Sequence, residues 1–375
     1  MAGVRQLRRA YSSASPRSLA QMLGPIAHID LDAFFASVEL CRQPELRGIP
    51  VIVAGSGPRA VVTTASYEAR VFGIGSAMPA TQAKRLCPDA VVIAPNFAAY
   101  REVSRDVMAV IADHIERFEQ LGIDEAFVDL EGLHSPKSAM RRLVAEIYEQ
   151  TSMRASVGIG PNRLVAKVAS DAEKPNGFLV LTEEEARRRF ADSPVSLVPG
   201  IGARTSERLG EIGIDTLAQL RAADAASLTN RFGPRQGPAL IALARFEASA
   251  EIVTDREPVS ESRETTFDQD ISSGDELEDE MRLLAVELAS ALQRSGRSGR
   301  TIRIKVRLDD WTTVTRARTI PALTNDYETI IKIAIELLRE YGPQRPVRLV
   351  GVGVTGFAAR EQQNQLELPL ELPAA

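Results

Sequence analysis

The sequence is poor in the residues that build disulfide frameworks and zinc sites. Its 375 residues include only two cysteines, Cys41 and Cys87, and three histidines, His28, His114 and His134. Two cysteines exclude a disulfide framework and a four-cysteine zinc site, and three histidines leave little for a histidine-based metal site. No apolar run approaches the ~18 residues of a membrane span, so we expect no membrane partner and a cytoplasmic protein. The absence of an internal period excludes collagen, coiled coils and solenoids.

Charge is unevenly distributed, although the net charge is only −5. Residues 1–24 hold four arginines and no acid, which resembles a transit peptide in composition. We interpret this basic extension as a disordered tail, or as residues upstream of a true start at Met22. Residues 268–280 hold seven acids and no base, and residues 292–307 hold six bases and no acid. The basic run predicts either a phosphate-contacting surface or an ordinary solvated face, and composition alone does not decide.

The polarity pattern predicts a chain with both helices and strands. In a strand over 26–32, apolar side chains at alternate positions face one way, and the other face carries His28, Asp30 and Asp32. Helical spacing over 98–119 predicts one helix, whereas 194–232 reads as short helices. Strand–helix–strand–strand–helix–strand order after residue 261 predicts an α+β sandwich of about 100 residues.

Acidic residues occur in two apolar segments: Asp30-Leu-Asp32 ends the first strand, and Asp124-Glu125 lies within a second apolar stretch, Gly122–Asp129. Mg²⁺ prefers oxygen ligands, and two ions about 4 Å apart need carboxylates that they can share. Aspartate is also common at strand ends for reasons of turn geometry, so a metal site and turn chemistry both remain open. Arg70 and Lys174 are candidate cations for a triphosphate, with a surface arginine and a turn lysine as the alternative.

Four segments together resemble Y-family DNA polymerases, the lesion-bypass class, and especially the bacterial members of that family. They are Ile29-Asp-Leu-Asp-Ala-Phe-Phe-Ala-Ser-Val-Glu39, Thr63-Thr-Ala-Ser-Tyr-Glu-Ala-Arg70, Gly122-Ile-Asp-Glu-Ala126, and Ser156–Lys167 continuing to Lys174-Pro-Asn-Gly177. Their order and spacing fit the family over residues 25–357. Gly122 replaces the usual serine and Phe127 a common tyrosine. Neither change removes a metal ligand, but we expect Gly122 to loosen the hairpin that carries Asp124.

The resemblance implies an α+β multidomain fold with the right-hand architecture of these polymerases. The implied parts are a palm (25–33 and 98–187), fingers (34–97), a small helical thumb with a helix-hairpin-helix (188–245), a linker (246–258), a C-terminal little-finger domain that is an α+β sandwich (259–357), and a flexible tail (358–375).

The implied function is template-directed DNA synthesis of the translesion type. The enzyme would add dNTPs to a primer 3′-hydroxyl by two-metal nucleotidyl transfer, on primer–template DNA and as a monomer. We expect no proofreading, because the implied domains leave no segment for an exonuclease. The alternative is a catalytically silent, polymerase-like accessory protein that binds DNA. The loss of Asp30, Asp124 or Glu125 would favour that alternative, and all three are present.

The resemblance also implies roles for individual residues. Asp30, Asp124 and the carbonyl of Leu31 would hold the triphosphate-bound Mg²⁺. Asp30, Asp124 and Glu125 would hold the second Mg²⁺, which activates the primer hydroxyl. Phe35 would exclude a ribose 2′-hydroxyl. The residues expected to bind the triphosphate are Thr64, Tyr67, Arg70 and Lys174.

Three segments are candidate contacts with macromolecules. Gly200 and Gly202 lie in a sequence that resembles the hairpin of a helix-hairpin-helix, where glycine lets a phosphate approach; a tight turn between helices is the alternative. A basic strand would present Arg303, Lys305 and Arg307 to DNA, with Arg300 just before them. The tail resembles the peptide by which bacterial polymerases bind the sliding clamp, through Gln365, Leu366, Leu368 and Leu370. A tail strand packed on its own domain is the alternative.

Overall fold

The strand Ile26–Leu31 lies at the centre of a five-stranded sheet. The computed structural model describes residues 26–255 and 257–358, which form two units. Residues 26–55 and 61–255 make the first unit, and residues 56–60 and 257–358 make the second. None of the described helices is long and apolar enough to cross a bilayer.

The central sheet of the first unit has the strand order β5-β6-β1-β7-β8. Strand β1 pairs antiparallel with both β6 and β7, and β7 pairs parallel with β8. This register sets Asp30 opposite Glu125 on one side and opposite Ser156 on the other. The strands are β1 (Ile26–Leu31), β5 (Phe118–Gln120), β6 (Glu125–Asp129), β7 (Ala155–Gly160) and β8 (Phe178–Val180).

The two faces of this sheet are covered by different helices. Ile29 and Leu31 of β1 share a core with the apolar sides of α4 (Phe97–His114) and α5 (Pro136–Thr151), as their alternation predicts. Helix α6 (Arg163–Ala172) covers the opposite face, where it packs directly on β7. A Cβ atom at Gly158 would lie 2.0 Å from the carbonyl oxygen of Ala166, so only glycine permits this close approach.

Residues 34–97, the predicted fingers, surround a small three-stranded sheet of order β3-β2-β4. Its strands are β2 (Val51–Ala54), β3 (Val62–Ala65) and β4 (Val91–Ile93), and its helices are α1 (Phe34–Arg42), α2 (Tyr67–Arg70) and α3 (Ala80–Leu86). A separate apolar core, which includes Ile52, Val62 and Ile74, holds these elements together.

Short helices follow the central sheet. They are α7 (Glu183–Arg189), α8 (Ala203–Gly210), α9 (Leu217–Ala222), α10 (Ala225–Phe232) and α11 (Gln236–Ala244). Their apolar side chains share one core with α6. The boundary expected between palm and thumb, at 187 and 188, falls inside α7. The expected linker contains no helix or strand in its described residues, 246–255 and 257–258, but Phe246 and Ile252 within it are buried.

The second unit is a four-stranded antiparallel sheet of order β11-β10-β12-β9 with two helices on one face. Its strands are β9 (Ser260–Ile271), β10 (Gly299–Leu308), β11 (Thr313–Thr324) and β12 (Val347–Phe357), and its helices are α12 (Gly274–Arg294) and α13 (Tyr327–Tyr341). Ile302, Ile304 and Val306 of β10 are buried beneath the helices. The opposite face of the sheet carries the basic residues of β10.

One predicted helix boundary was wrong. The helix expected over 98–119 ends at His114, and Phe118–Gln120 is a strand that pairs with β6. Pairing with a neighbouring strand outweighs the local helical spacing here. Strands β4 and β8 were not predicted, because three residues are too few to show an alternation.

Candidate active site

The carboxylates of Asp30 and Glu125 meet where β1 ends and β6 begins. Their strand register places them side by side, and the amide of Leu31 donates to the carbonyl oxygen of Asp124 at 2.9 Å. Ligand atoms of His28, Asp30 and Glu125 lie within 4.8 Å of one another. Asp124 is outside that group of three, but it lines the same cleft as Asp30. The antiparallel pairing therefore gathers the three predicted acids at one edge of the sheet.

Two lysines neutralise these acids. The ammonium of Lys167, on α6, lies 3.2 Å from Asp30 and donates to the carboxylate of Glu125. Lys174 lies 2.6 Å from Asp30 and 2.6 Å from Asp171. Burial opposes the charge on each lysine, but the neighbouring carboxylates outweigh it and raise both pKa values.

The pKa values of Glu125 and Asp124 are shifted in opposite directions by their neighbours. His28 and Lys167 hold the pKa of Glu125 at about 2. Burial, together with repulsion from Asp30 and Glu125, raises the pKa of Asp124. Like charges thus crowd one end of the sheet, and each needs a cation nearby.

His28 lies beneath the acidic group and is fully buried. Its Nδ1 is 2.8 Å from the hydroxyl of Ser170, and its ring meets the edge of Phe127 at 4.8 Å between centroids. Its Nε2 lies 3.3 Å from Glu125 without a well-aligned hydrogen bond. Burial lowers the pKa of His28, which favours the neutral ring.

Asp32 holds neighbouring loops together. It accepts hydrogen bonds from the hydroxyl of Ser156 at 2.8 Å and from the backbone amide of Asn176 at 2.7 Å. The phenol of Tyr67 donates to it at 3.3 Å. Asp32 thereby fixes the turn that follows Lys174, and its side chain is almost fully buried.

Three of the four residues expected to bind the triphosphate line a cleft of about 320 Å³. Thr64, Arg70 and Lys174 line it together with Asp30 and Asp124. The Arg70 guanidinium donates to the carbonyl of Ala65 at 3.0 Å and lies 4.7 Å from the Tyr67 ring centroid. Tyr67 does not line the cleft; burial raises its pKa, so it stays protonated. A cleft with both carboxylates and basic side chains suits a metal-bound phosphate, because the carboxylates can bind the metal ion and the basic side chains can bind the phosphate oxygens.

Phe35 lines the same cleft, and neighbouring rings fix its orientation. It stacks on Tyr100 with 4.4 Å between centroids and 12° between planes, and Phe97 meets it edge-on at 5.8 Å. The phenol of Tyr100 donates to Glu39 at 2.7 Å. The Phe35 ring therefore forms a rigid part of the wall.

Two positions depart from the pattern of the Y family, and both lie beside the acids. A Cβ atom at Gly122 would stand 3.2 Å from the Asp124 carboxylate, so glycine leaves that carboxylate more room than serine would. Phe127 packs between His28 and the guanidinium of Arg163, which lies 4.5 Å from its ring centroid.

The expected DNA contacts lie in several environments. Gly200 has φ +98°, which favours glycine, and Gly202 has open space where a side chain would stand. Lys305 is paired with Glu264 at 2.8 Å, whereas Arg303 and Arg307 have no acidic partner among residues 26–255 and 257–358. Arg300 is exposed at the start of β10. The expected clamp contacts, Gln365, Leu366, Leu368 and Leu370, and the basic extension lie outside the described residues.

Comparison with known proteins identifies the family. Residues 29–171 match the impB/mucB/samB family, residues 258–368 match its C-terminal domain, and residues 196–245 match the thumb domain of DNA polymerase-iota. DNA polymerase IV of Caulobacter vibrioides is 41% identical over 94% of this chain and 89% of its own length. DNA polymerase IV of Streptomyces coelicolor is 39% identical over 90% of this chain and 72% of its own length.

A solved Y-family DNA polymerase chimera superposes with a TM-score of 0.79 at 25% identity, covering 88% of this chain and 98% of the chimera. The chain belongs to the Y family of DNA polymerases. The predicted family, the α+β multidomain fold and the assignment as a DNA polymerase are thus confirmed. Membership of this family implies dependence on a divalent metal ion and binding of primer–template DNA.

The sequence analysis missed several residues that surround the acids of this polymerase. Lys167 was read only as the end of a motif, and Ser170 and Asp171 were not singled out. A signal was present, because Lys167, Ser170 and Asp171 stand at the i, i+3 and i+4 positions of one helical face, and Lys174 follows shortly after that helix ends. The alternation of β1 turns its acids towards that face.

Removing the Lys167 ammonium tests whether it compensates the acids. In EDTA, Lys167→Gln should lower stability by about 1–3 kcal/mol, less than for a fully buried pair, because these side chains remain 13–26% exposed. Thermal melting measures the change. Mg²⁺ should restore part of the loss by supplying positive charge to Asp30 and Glu125. The control is Lys137→Gln, at an exposed position on α5. Equal melting of the two variants in EDTA would contradict this role.

Proposed function

We propose that the protein extends a primer 3′-hydroxyl with dNTPs under the direction of a template, as a polymerase of the translesion type. The observation that carries this proposal is the meeting of Asp30, Asp124 and Glu125 at one edge of the central sheet. Asp30 and Asp124 line a cleft whose other walls hold basic side chains for a triphosphate and an aromatic ring for a sugar. Glu125 stands opposite Asp30 in the strand pair.

The donor set at this edge fits two Mg²⁺ ions, because carboxylate and carbonyl oxygens are ligands that Mg²⁺ prefers. Asp30, Asp124 and the Leu31 carbonyl would hold one ion, and Asp30, Asp124 and Glu125 would hold the other. When bound, the ions lower the pKa of the primer hydroxyl and offset the charge that develops on the phosphate oxygens. His28 lies on the far side of Glu125, towards the core, and its Nδ1 already faces Ser170.

The basic side chains of the cleft, Arg70 and Lys174, would bind the β- and γ-phosphates of the incoming nucleotide. Arg70 can bind phosphate oxygens through two N–H groups, and Lys174 as a point charge. Thr64 would add a hydroxyl donor. The hydroxyl of Tyr67 donates to Asp32 here, so it would turn from Asp32 to donate a hydrogen bond to the phosphate. Lys174 is paired with Asp30 and Asp171 here, so it would exchange a carboxylate for a phosphate when the nucleotide binds.

We assign the DNA contacts to two surfaces that do not read sequence. Gly200 and Gly202 precede α8, where free backbone N–H groups can face a phosphate. Arg300, Arg303, Lys305 and Arg307 belong to β10, on the second unit. Arg303 and Arg307 are the stronger candidates, because Glu264 already compensates Lys305. On this proposal the first unit acts as palm, fingers and thumb, and the second unit acts as the little finger. The enzyme would be monomeric and cytoplasmic.

Primer extension tests the assignment of the acids. Asp30→Ala, and separately Asp124→Ala combined with Glu125→Ala, should slow nucleotide incorporation by at least about a thousandfold, since metal-assisted catalysis supplies several kcal/mol. Binding of primer–template should stay near that of the wild type, because DNA affinity comes from the basic surfaces. The control is Asp106→Ala, at an exposed position on α4. Extension by the double variant at the wild-type rate would refute the assignment, and EDTA should abolish extension by the wild type.

Sugar selection tests the assignment of Phe35. Phe35→Ala should raise the ratio of ribonucleotide to deoxyribonucleotide incorporation by about tenfold or more, because a 2′-hydroxyl would no longer meet the ring. Single-nucleotide insertion kinetics with the two substrates give this ratio. Phe97→Ala is the matched control, since Phe97 touches the same ring cluster but does not line the cleft. If both variants keep the wild-type ratio while folded, Phe35 does not select the sugar.

We propose in addition that the tail binds the sliding clamp through Gln365, Leu366, Leu368 and Leu370. Three leucines at alternate positions of an extended peptide can fill apolar pockets, and Pro369 disfavours a helix. Such a peptide is expected to bind at about micromolar strength, roughly −8 kcal/mol. Tethering would raise the local concentration of the polymerase at the primer end without a new DNA contact.

A pair of truncations tests the tail. Deletion of residues 364–375 should abolish stimulation by the loaded clamp and leave synthesis on a short primer–template unchanged. Deletion of residues 371–375, which spares the peptide, should preserve stimulation. Extension assays with and without the clamp measure both effects. If the protein that lacks residues 364–375 is still fully stimulated by the clamp, the clamp binds elsewhere.

A further inference from the structure

The single tryptophan of the chain lies at an exposed turn of the second unit. Trp311 is 62% exposed and stands between β10 and β11. The backbone amide of Trp311 donates to the carbonyl oxygen of Leu308 at 3.1 Å. The backbone amide of Leu308 donates to the carbonyl oxygen of Thr312 at 2.9 Å. The turn is therefore closed by its own backbone, and burial of the indole contributes little to it.

The backbone at this position favours a different residue. Trp311 has φ +68°, in the left-handed region that glycine adopts freely and that bulky side chains rarely occupy. In hairpins of this kind the left-handed position is most often glycine. A large aromatic ring therefore stands at a position where neither burial nor backbone geometry favours it, which points to contact with another molecule.

Positive charge surrounds the ring. The guanidinium of Arg348 lies 4.2 Å from the ring centroid, and that of Arg307 lies 5.8 Å from it. The two acids of the turn, Asp309 and Asp310, are both paired with Arg345. The local acids are therefore compensated, and neither Arg307 nor Arg348 has an acidic partner in the described part of the chain.

The ring also continues the open face of the sheet. Arg303, Lys305 and Arg307 occupy alternate positions of β10 and lie on the face opposite the helices. Arg307 is the member of this row nearest the turn, and its Nε donates to Thr313 at 2.9 Å. A phosphate backbone that followed the row would pass from Arg303 to Arg307 and reach Trp311.

We propose that Trp311 stacks on an unpaired base of single-stranded DNA, while Arg307 and Arg348 bind the adjacent phosphates. The inference rests on the proposed function and adds to it a contact with the unpaired part of the template. A single strand fits because its base faces are free, whereas neighbouring bases cover them in a duplex. Aromatic stacking with flanking bases is how proteins bind single strands without reading sequence.

The test uses the full chain and two labelled DNAs: a primer–template with a single-stranded 5′ template overhang, and the same duplex with blunt ends. Fluorescence anisotropy gives the affinities. Trp311→Gly should weaken binding of the overhang DNA by about tenfold, the loss of one stacked base, and leave the blunt duplex within about twofold. Trp311→Phe should keep the overhang affinity within about twofold, because phenylalanine also stacks. Glycine suits the backbone here, so Trp311→Gly should melt no lower than the wild type.

Salt dependence separates stacking from charge. Trp311→Gly should leave the slope of log affinity against log salt unchanged, because indole carries no charge. Arg303→Ala combined with Arg307→Ala should reduce that slope by about two, since each phosphate contact contributes roughly 0.9. The overhang DNA should also quench the fluorescence of the wild type, in which Trp311 is the only tryptophan emitter.

Several results would overturn the inference. One is an overhang affinity of Trp311→Gly within twofold of the wild type; another is an equal loss on both DNAs. Unchanged DNA binding with reduced stimulation by the clamp would assign the ring to a protein contact instead. The test measures DNA binding and does not require primer extension. A failure of the proposed polymerase activity would therefore appear separately, as a wild-type protein that binds DNA but does not extend a primer.

Discussion

The antiparallel pairing of β1 with β6 is the constraint on which the rest of the active site depends. It places Asp30 directly opposite Glu125 and joins Leu31 to the backbone of Asp124. The same pairing that completes the central sheet therefore forces carboxylates together. Such a concentration of negative charge is stable only if cations lie close to it.

The fold supplies these cations from one helix and the loop after it. Close packing of α6 on β7, which requires glycine at position 158, brings Lys167 over the acids, and Lys174 follows on the next loop. A divalent ion and a nucleotide phosphate would take over these ion pairs, the ion at the carboxylates and the phosphate at Lys174. The charge balance that the two lysines give the cleft thus resembles the balance expected with substrate, which limits the rearrangement that binding requires.

The sequence was sufficient to predict the elements with long periodic patterns and the acids at strand ends. The alternation in β1 and the order of elements after residue 261 are examples. The local pattern could not predict that α4 ends at His114, because the strand after it is defined by its pairing with β6. Nor could it reveal that Asp32 ties the loop at Asn176 or that Lys174 pairs with Asp30, since these contacts join segments more than 140 residues apart. The left-handed backbone of Trp311 leaves no trace in composition.

The most direct measurement of the central claim is anomalous diffraction from crystals of the full chain with primer–template, a non-hydrolysable dNTP and Mn²⁺. The account predicts two anomalous peaks at coordination distance, about 2.1 Å, from oxygens of Asp30 and Asp124. One of the two should also contact Glu125, and Lys174 should have moved from Asp30 to the triphosphate. Peaks that avoid Asp30, or a Lys174 still paired with it while nucleotide fills the cleft, would contradict the account.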